Sequence, residues 1–148
     1  MGVWIGRLIA LFDLAGGVLG LWAVGQRLAD ASGGAAWIID IVFLAYFAFG
    51  LWAGLALLKP WRGALSSNRL YWVFQLLSFS TPWLGYRLVS GGGIDVAFLF
   101  GHRFAANVNG SAGSDAVLRL AHEPHHWVVA INVVAVAVFA YVIRPRKG

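Results

Sequence analysis

The stretch Ser90–His126, SGGGIDVAFLFGHRFAANVNGSAGSDAVLRLAHEPHH, is the one long part of the chain that a hydrocarbon phase would reject, and it carries all four histidines. Its first half decides how it folds. From Ile94 to Val108 the even positions read Ile, Val, Phe, Phe, His, Phe, Ala, Val, and the odd ones Asp, Ala, Leu, Gly, Arg, Ala, Asn. Alternation over that length predicts extended structure with one buried face. Register then selects the turn. A two-residue turn pairing Phe100 with Arg103 would put apolar side chains on opposite faces. A three-residue loop, Gly101-His102-Arg103, instead pairs Phe100 with Phe104, Phe98 with Ala106 and Val96 with Val108 on one face. A short hairpin with its apolar side on the helices or the membrane surface is therefore expected, with an interfacial amphipathic helix as the alternative. Beyond it, Asn109 to Gly113 reads as linker. Ser114 reads as the cap of a short helix from Asp115 to Ala121 that Glu123-Pro124 ends.

On either side of this stretch the chain is apolar. Of 148 residues, 60% are hydrophobic and 11% charged, where a soluble domain needs roughly a quarter charged to cover its surface. The apolar residues fall in blocks of about 20, enough to cross a hydrocarbon core at ~1.5 Å per residue. The expected fold is an all-α integral membrane protein, a single domain over residues 1–148. Four transmembrane helices, at about 4–28, 37–58, 70–89 and 124–143, form an antiparallel bundle, and 90–123 is an extracytoplasmic β-hairpin and amphipathic segment. Lys59-Pro60-Trp61-Arg62 stops the second span, because proline cannot continue a helix and the charges mark headgroups. Pro82 beside Thr81 predicts a kink in the third.

Charge gives the orientation. With both termini cytoplasmic, Arg7, Lys59, Arg62, Arg69, Arg144, Arg146 and Lys147 lie inside, against Arg27, Arg87, Arg103 and Arg119 outside. That bias obeys the positive-inside rule and suits a bacterial inner membrane. The tryptophans serve as interface anchors on the same frame: Trp4, Trp52, Trp61 and Trp72 on the inner side, Trp22, Trp37, Trp83 and Trp127 on the outer. Basic residues at segment ends rather than on one polar face argue against nucleic acid as a partner despite the net charge of +5. The absence of cysteine excludes disulfides and thiolate metal sites.

Two groups of residues stand out as chemistry. His122, His125 and His126, with His102 from the hairpin tip, supply enough imidazole for an extracytoplasmic metal site. The spacing His-x-x-His-His resembles, over those five residues, one histidine box of membrane-bound di-iron desaturases and hydroxylases, enzymes that draw on several such boxes. The resemblance implies metal binding, whereas the bland reading is a polar helix entrance anchored by Trp127, with no cofactor. Asp13 is the ionisable residue near the middle of a span. Counted from the span ends, Tyr46, Ser78 and Asn132 fall at a similar depth, and Gln75 begins a polar stripe on the third span. These five form either a polar clasp between helices or a relay for protons or ions. Gly16-x-x-x-Gly20 and Gly50-x-x-x-Gly54 give the first two spans flat faces for close packing. With no phosphate loop or nucleophile elbow, the expectation is a non-enzymatic accessory, scaffold or regulatory protein. It would bind lipid and either another membrane protein or a second copy of itself. An oligomeric channel or proton-coupled transporter is the rival.

Overall fold

The structure, a computed structural model, describes residues 3–30, 34–59, 63–101, 103–120 and 127–144. Its elements in chain order are α1 (Val3–Asp30), α2 (Ala35–Leu58), α3 (Ala64–Val73), β1 (Leu77–Ser80), β2 (Leu84–Val89), β3 (Gly92–Phe100), β4 (Ala105–Ala112), β5 (Asp115–Leu120), β6 (Trp127–Asn132) and α4 (Val133–Ile143). The all-α four-helix bundle expected from the sequence does not form. Two helices, α1 and α2, are long and apolar enough to cross a membrane, and six strands make one antiparallel sheet in the order β4-β3-β6-β1-β2-β5.

α1 and α2 run antiparallel, with Gly54 against Ala10 and Asp13, Gly20 and Gly17 against Phe47 and Leu51, and Arg27 beside Asp40. The absence of a side chain at Gly20 is what admits the Phe47 ring, whose nearest atom lies 2.2 Å from where a Cβ would stand. Gly50 does the same for the ring of Tyr71 on α3.

The third and fourth apolar blocks are half helix and half strand. α3 ends at Val73, and the chain then alternates Leu77-Ser78-Phe79-Ser80, a period of two. Pro82 lies at the tip of the β1–β2 hairpin instead of kinking a helix. Thr81 closes that turn through its N–H to the Leu84 carbonyl at 2.9 Å, and its hydroxyl accepts from the Leu84 N–H at 3.1 Å. Proline's fixed φ and missing donor suit a turn corner better than a helix interior. In the last block Val128, Val129 and Ile131 favour the strand. Asn132 then starts α4, its Oδ1 accepting the Ala135 N–H at 3.1 Å. The segment read as a helix over Asp115–Ala121 is β5, paired with β2 from Val89↔Asp115 to Leu84↔Leu120.

The β3–β4 hairpin has the register that the alternation requires, with Val96↔Val108 and Phe98↔Ala106. One row of partners crosses the whole sheet: Ala106, Phe98, Val129, Phe79, Tyr86, Leu118. The neighbouring row on the other face reads Asn107, Ala97, Ala130, Ser78. One face is therefore apolar, and the other is small or polar over most of its length.

Two short links show that the sheet is rolled. Gly113-Ser114 connects β4 to β5, the two edges of the sheet. Laid flat, those edges would stand about 24 Å apart at ~4.8 Å per strand, yet three Cα steps span at most about 10 Å. Ser90-Gly91 likewise joins β2 to β3 across the width of two intervening strands. Positive φ at Gly91 (78°), Gly92 (132°) and Gly113 (105°) makes these corners possible. Arg87 on β2 reaches Asp95 on β3 at 3.4 Å, so the polar face is the concave one. The convex face packs Leu88 and Ala116 on Val24, Phe43 and Phe47 of the helical hairpin. Away from that seam its side chains Leu77, Ile94, Val108, Val129 and Ile131 are exposed among the described residues.

Candidate functional site

The buried polar groups form a run from α1 to the sheet. Asp13, 1% exposed, accepts from Asn68 Nδ2 of α3 at 2.9 Å, and the same nitrogen lies 3.3 Å from the Ala53 carbonyl. One turn along α3, the Tyr71 ring stacks on Tyr46 at 4.9 Å, and the Tyr46 hydroxyl donates to the Tyr71 carbonyl at 2.7 Å. The Tyr71 hydroxyl bonds to Ser90 Oγ, and the Ser90 N–H donates to Gln75 Oε1 at 2.9 Å. Ser114 completes the run: its Oγ accepts from the Gly91 N–H at 3.0 Å and donates to the Gly16 carbonyl at 2.7 Å.

Of the five residues expected to form one intramembrane polar cluster, Tyr46 and Gln75 join this run through Tyr71 and Ser90. Asp13 is tied instead to Asn68. Ser78 faces the concave side of the sheet, and Asn132 acts as the cap of α4. Asn68, Tyr71, Ser90 and Ser114 carry the connections, and none of them was legible as a partner from composition alone. Asn68 sits four residues into a helix that starts six residues before the expected third span. Several buried polar atoms keep no partner among the described residues: Asp13 Oδ1, Asn68 Oδ1, Gln75 Nε2, Asp95 Oδ1 and Asn132 Nδ2.

Inside the rolled sheet Arg87 sits between two carboxylates, Asp95 Oδ2 at 3.4 Å and Asp115 Oδ2 at 3.5 Å. Asp95 is 5% exposed, and that guanidinium is the cation beside it. At the far end of the helical hairpin Arg27 does two jobs. One nitrogen pairs with Asp40 Oδ1 at 2.7 Å, and the other donates to the Ala116 carbonyl on the outer edge of β5, also at 2.7 Å. Cavities of about 380 Å³ and about 200 Å³ open beside this contact, the first lined by Val24, Arg27, Asp30 and Asp115, the second by Asp40, Phe43, Val117 and Arg119.

The two sheet edges are treated differently. β5 lies under α1 and has an edge carbonyl taken by Arg27. β4, Ala105–Ala112, pairs only with β3 among the described residues. Its sequence AANVNGSA contains no charge and no proline, the usual devices that blunt an edge.

Of the expected interface anchors, Trp4, Trp22, Trp37, Trp52, Trp83 and Trp127 are exposed, between 42% and 76%. Trp72 is fully buried in the α3–α4 core and is not a surface anchor. Trp61 lies outside the described residues. So do all four candidate metal ligands, His102, His122, His125 and His126. Among the described residues no group of three or more His, Asp or Glu side chains gathers as a metal site would require. Of the packing glycines, Gly20, Gly50 and Gly54 serve α1, α2 and α3, while Gly16 faces the Ser90-Gly91 link of the sheet. Comparison with protein-family models, curated proteins and solved structures yields no match for the chain.

Proposed function

We propose that this chain is a non-enzymatic accessory protein of a cytoplasmic membrane, both termini cytoplasmic, that holds an extended segment of a partner membrane protein along β4. The edge of β4, unpaired among the described residues, carries this reading. Eight residues of strand offer one row of N–H and C=O groups to whatever lies beside them, and an edge of that length without charge or proline is a template for strand addition. The other edge is already occupied by α1 and Arg27, so addition is directed to one side. The sequence supports the same reading by offering packing and anchoring features and no catalytic constellation.

The test uses the alternation of an antiparallel edge. Of the neighbours Asn107 and Val108, one points its N–H at β3 and the other points it away. Proline at the first breaks the hairpin. Proline at the second leaves the hairpin intact and blocks the edge. Purification in mild detergent at native abundance is expected to yield a complex that the edge-facing proline dissolves with no change in thermal unfolding. A particle holding one copy of this chain and nothing else sinks the proposal.

A second reading, a proton-coupled or ion-conducting role, is favoured by the buried polar run and its unpartnered atoms at Asp13, Asn68 and Gln75. It requires that Asp13→Asn abolish proton flux in reconstituted liposomes while the protein stays folded. Under a purely structural clasp the same variant changes nothing measurable in flux.

A further inference from the structure

We infer that the convex apolar face of the sheet is covered by lipid acyl chains, and that the sheet lies within the bilayer, in the half bounded by Arg27 and Asp40. The inference rests on α1 and α2 crossing a bilayer and on the strand addition at β4 proposed above, which closes the one edge that lipid would leave unpaired.

Depth is the first argument. Arg7 and Arg27 are twenty residues apart on α1, about 30 Å along the axis, which is the thickness of a hydrocarbon core. Asp40, paired with Arg27, and Lys59 mark the same two levels on α2. Gly16 lies near the midpoint of that interval, and there the sheet begins. Ser90 and Gly91 pack on Gly16, and Ser114 bonds its carbonyl. From Gly16 to Arg27 is about 16 Å of helix, and the six residues of β5 rise about 20 Å. The strands therefore fill the interval from mid-membrane to the Arg27 level.

Polarity is the second. At that depth the outward side chains of the strands away from the helices are Leu77, Ile94, Val108, Val129 and Ile131, all exposed, with Val108 at 65%. The inward ones are mostly small or polar, Asn107, Asp95, Ala97, Ala130 and Ser78, with Leu99 and Val128 the apolar pair among them. Apolar-out and polar-in is the pattern of a sheet solvated by lipid, the reverse of a soluble barrel. At the far end stand Trp83, 71% exposed, and Trp127, ring to ring at 6.1 Å. Such amphipathic rings belong at the headgroup level, where Trp22 and Trp37 of the helices also emerge. Rolling answers most of the objection that strands cannot enter lipid, since interior strands satisfy their backbone by pairing and β5 is covered by α1; the remaining edge, β4, is closed by the strand addition proposed above. It also makes two consecutive pairs, α3–β1 and β6–α4, composite crossings. β6 with α4 comes to about 36 Å, enough to cross the ~30 Å hydrocarbon core.

The chain has no cysteine, so single spin labels can be placed without background. Val108→Cys, Ile94→Cys and Ile131→Cys report the outward face, Asn107→Cys and Asn109→Cys the inward face, and Val18→Cys, exposed on α1, the helical crossing. In phosphatidylcholine–phosphatidylglycerol vesicles the outward labels are expected to match Val18→Cys. They should gain relaxation by dissolved oxygen and lose relaxation by a water-soluble nickel chelate, while Asn107→Cys and Asn109→Cys show the opposite. Outward labels open to nickel while Val18→Cys is shielded overturn the inference and leave the helices in the membrane. Nickel access at Val18→Cys as well overturns both. Outward labels shielded from oxygen and nickel alike show a protein partner or second copy on this face, and overturn it too.

Discussion

Replacing Gly16 with alanine tests the contact on which the placement of the sheet depends. A Cβ at this position would stand 2.1 Å from Ser90 Oγ, 2.6 Å from the Gly91 nitrogen and 2.8 Å from the Ser90 carbonyl carbon. Two of those three atoms are backbone, in a link whose φ at Gly91 is already positive, so relief requires the sheet to move off α1. Overpacking of this kind costs about 1–3 kcal/mol. Displacing Ser90 and Ser114 also strains their bonds to Tyr71 and to the Gly16 carbonyl, each worth about 1 kcal/mol. Alanine returns up to about 1 kcal/mol through helix propensity. The net loss is therefore about 2–4 kcal/mol. Gly25→Ala is the matched control: nothing lies within 4 Å of its Cβ, and it should gain a few tenths to about 1 kcal/mol. Unfolding both variants by SDS titration in mixed micelles, followed by tryptophan fluorescence, gives the difference directly. If Gly16→Ala proves as stable as Gly25→Ala within about 0.5 kcal/mol, the sheet does not dock at the middle of α1, and the depth argument is lost.

Arg87→Gln leaves Asp95 buried without a cation. Because the guanidinium is 39% exposed, the expected loss is about 2 kcal/mol rather than the 3–5 of a fully buried pair, and adding Asp95→Asn should recover part of it in the same denaturation assay. Tyr71→Phe and Ser90→Ala should each cost about 1 kcal/mol, and the double variant no more than slightly more, since both remove one shared bond. Asn132→Ala removes the cap that starts α4 and should cost about 1 kcal/mol, with faster amide exchange confined to the first turn of that helix. Arg27→Ala frees both Asp40 and the Ala116 carbonyl, so a loss of about 1–2 kcal/mol is expected, accompanied by increased exchange along β5.

The sequence made the hairpin legible because its signal is long. Fifteen residues of strict alternation, with one turn length keeping Val96, Phe98, Ala106 and Val108 on one face, leave a single register. The close-packing role of Gly20, Gly50 and Gly54 was equally readable. What misled was the third and fourth apolar blocks. Twenty apolar residues satisfy the length of a helical crossing, and an apolar run buried on both sides reads the same in helix and strand. The local signs of strand were there in Leu77-Ser78-Phe79-Ser80 and in Thr81-Pro82, but they were outweighed by the length argument. β5 is six residues long, too short for its period to outvote a Ser-Asp start that looks like a helix cap. Asp13 is buried and bonded to Asn68, which lies ahead of the third apolar block, whereas depth counting places Asn132 beside it. Arg87 between Asp95 and Asp115 depends on rolling, which only the two-residue links between distant strands reveal, and such links have no meaning until strand order is known.

The strand order has a consequence for how the molecule is made. β6 lies between β3 and β1, so among the described residues it alone hydrogen-bonds the pair β4-β3 to the trio β1-β2-β5, and it follows all five in the chain. Until it emerges the nascent chain holds two pieces of sheet, tethered only by the Ser90-Gly91 and Gly113-Ser114 links, beside the α1–α2 hairpin. Ser114 must find Gly16 across 98 residues, a slow, non-local closure of the kind that exposes unpaired strands while it waits. Synthesis halted before Trp127 should therefore release a product whose unpaired strands quality-control proteases recognise, because closure of the sheet waits for β6.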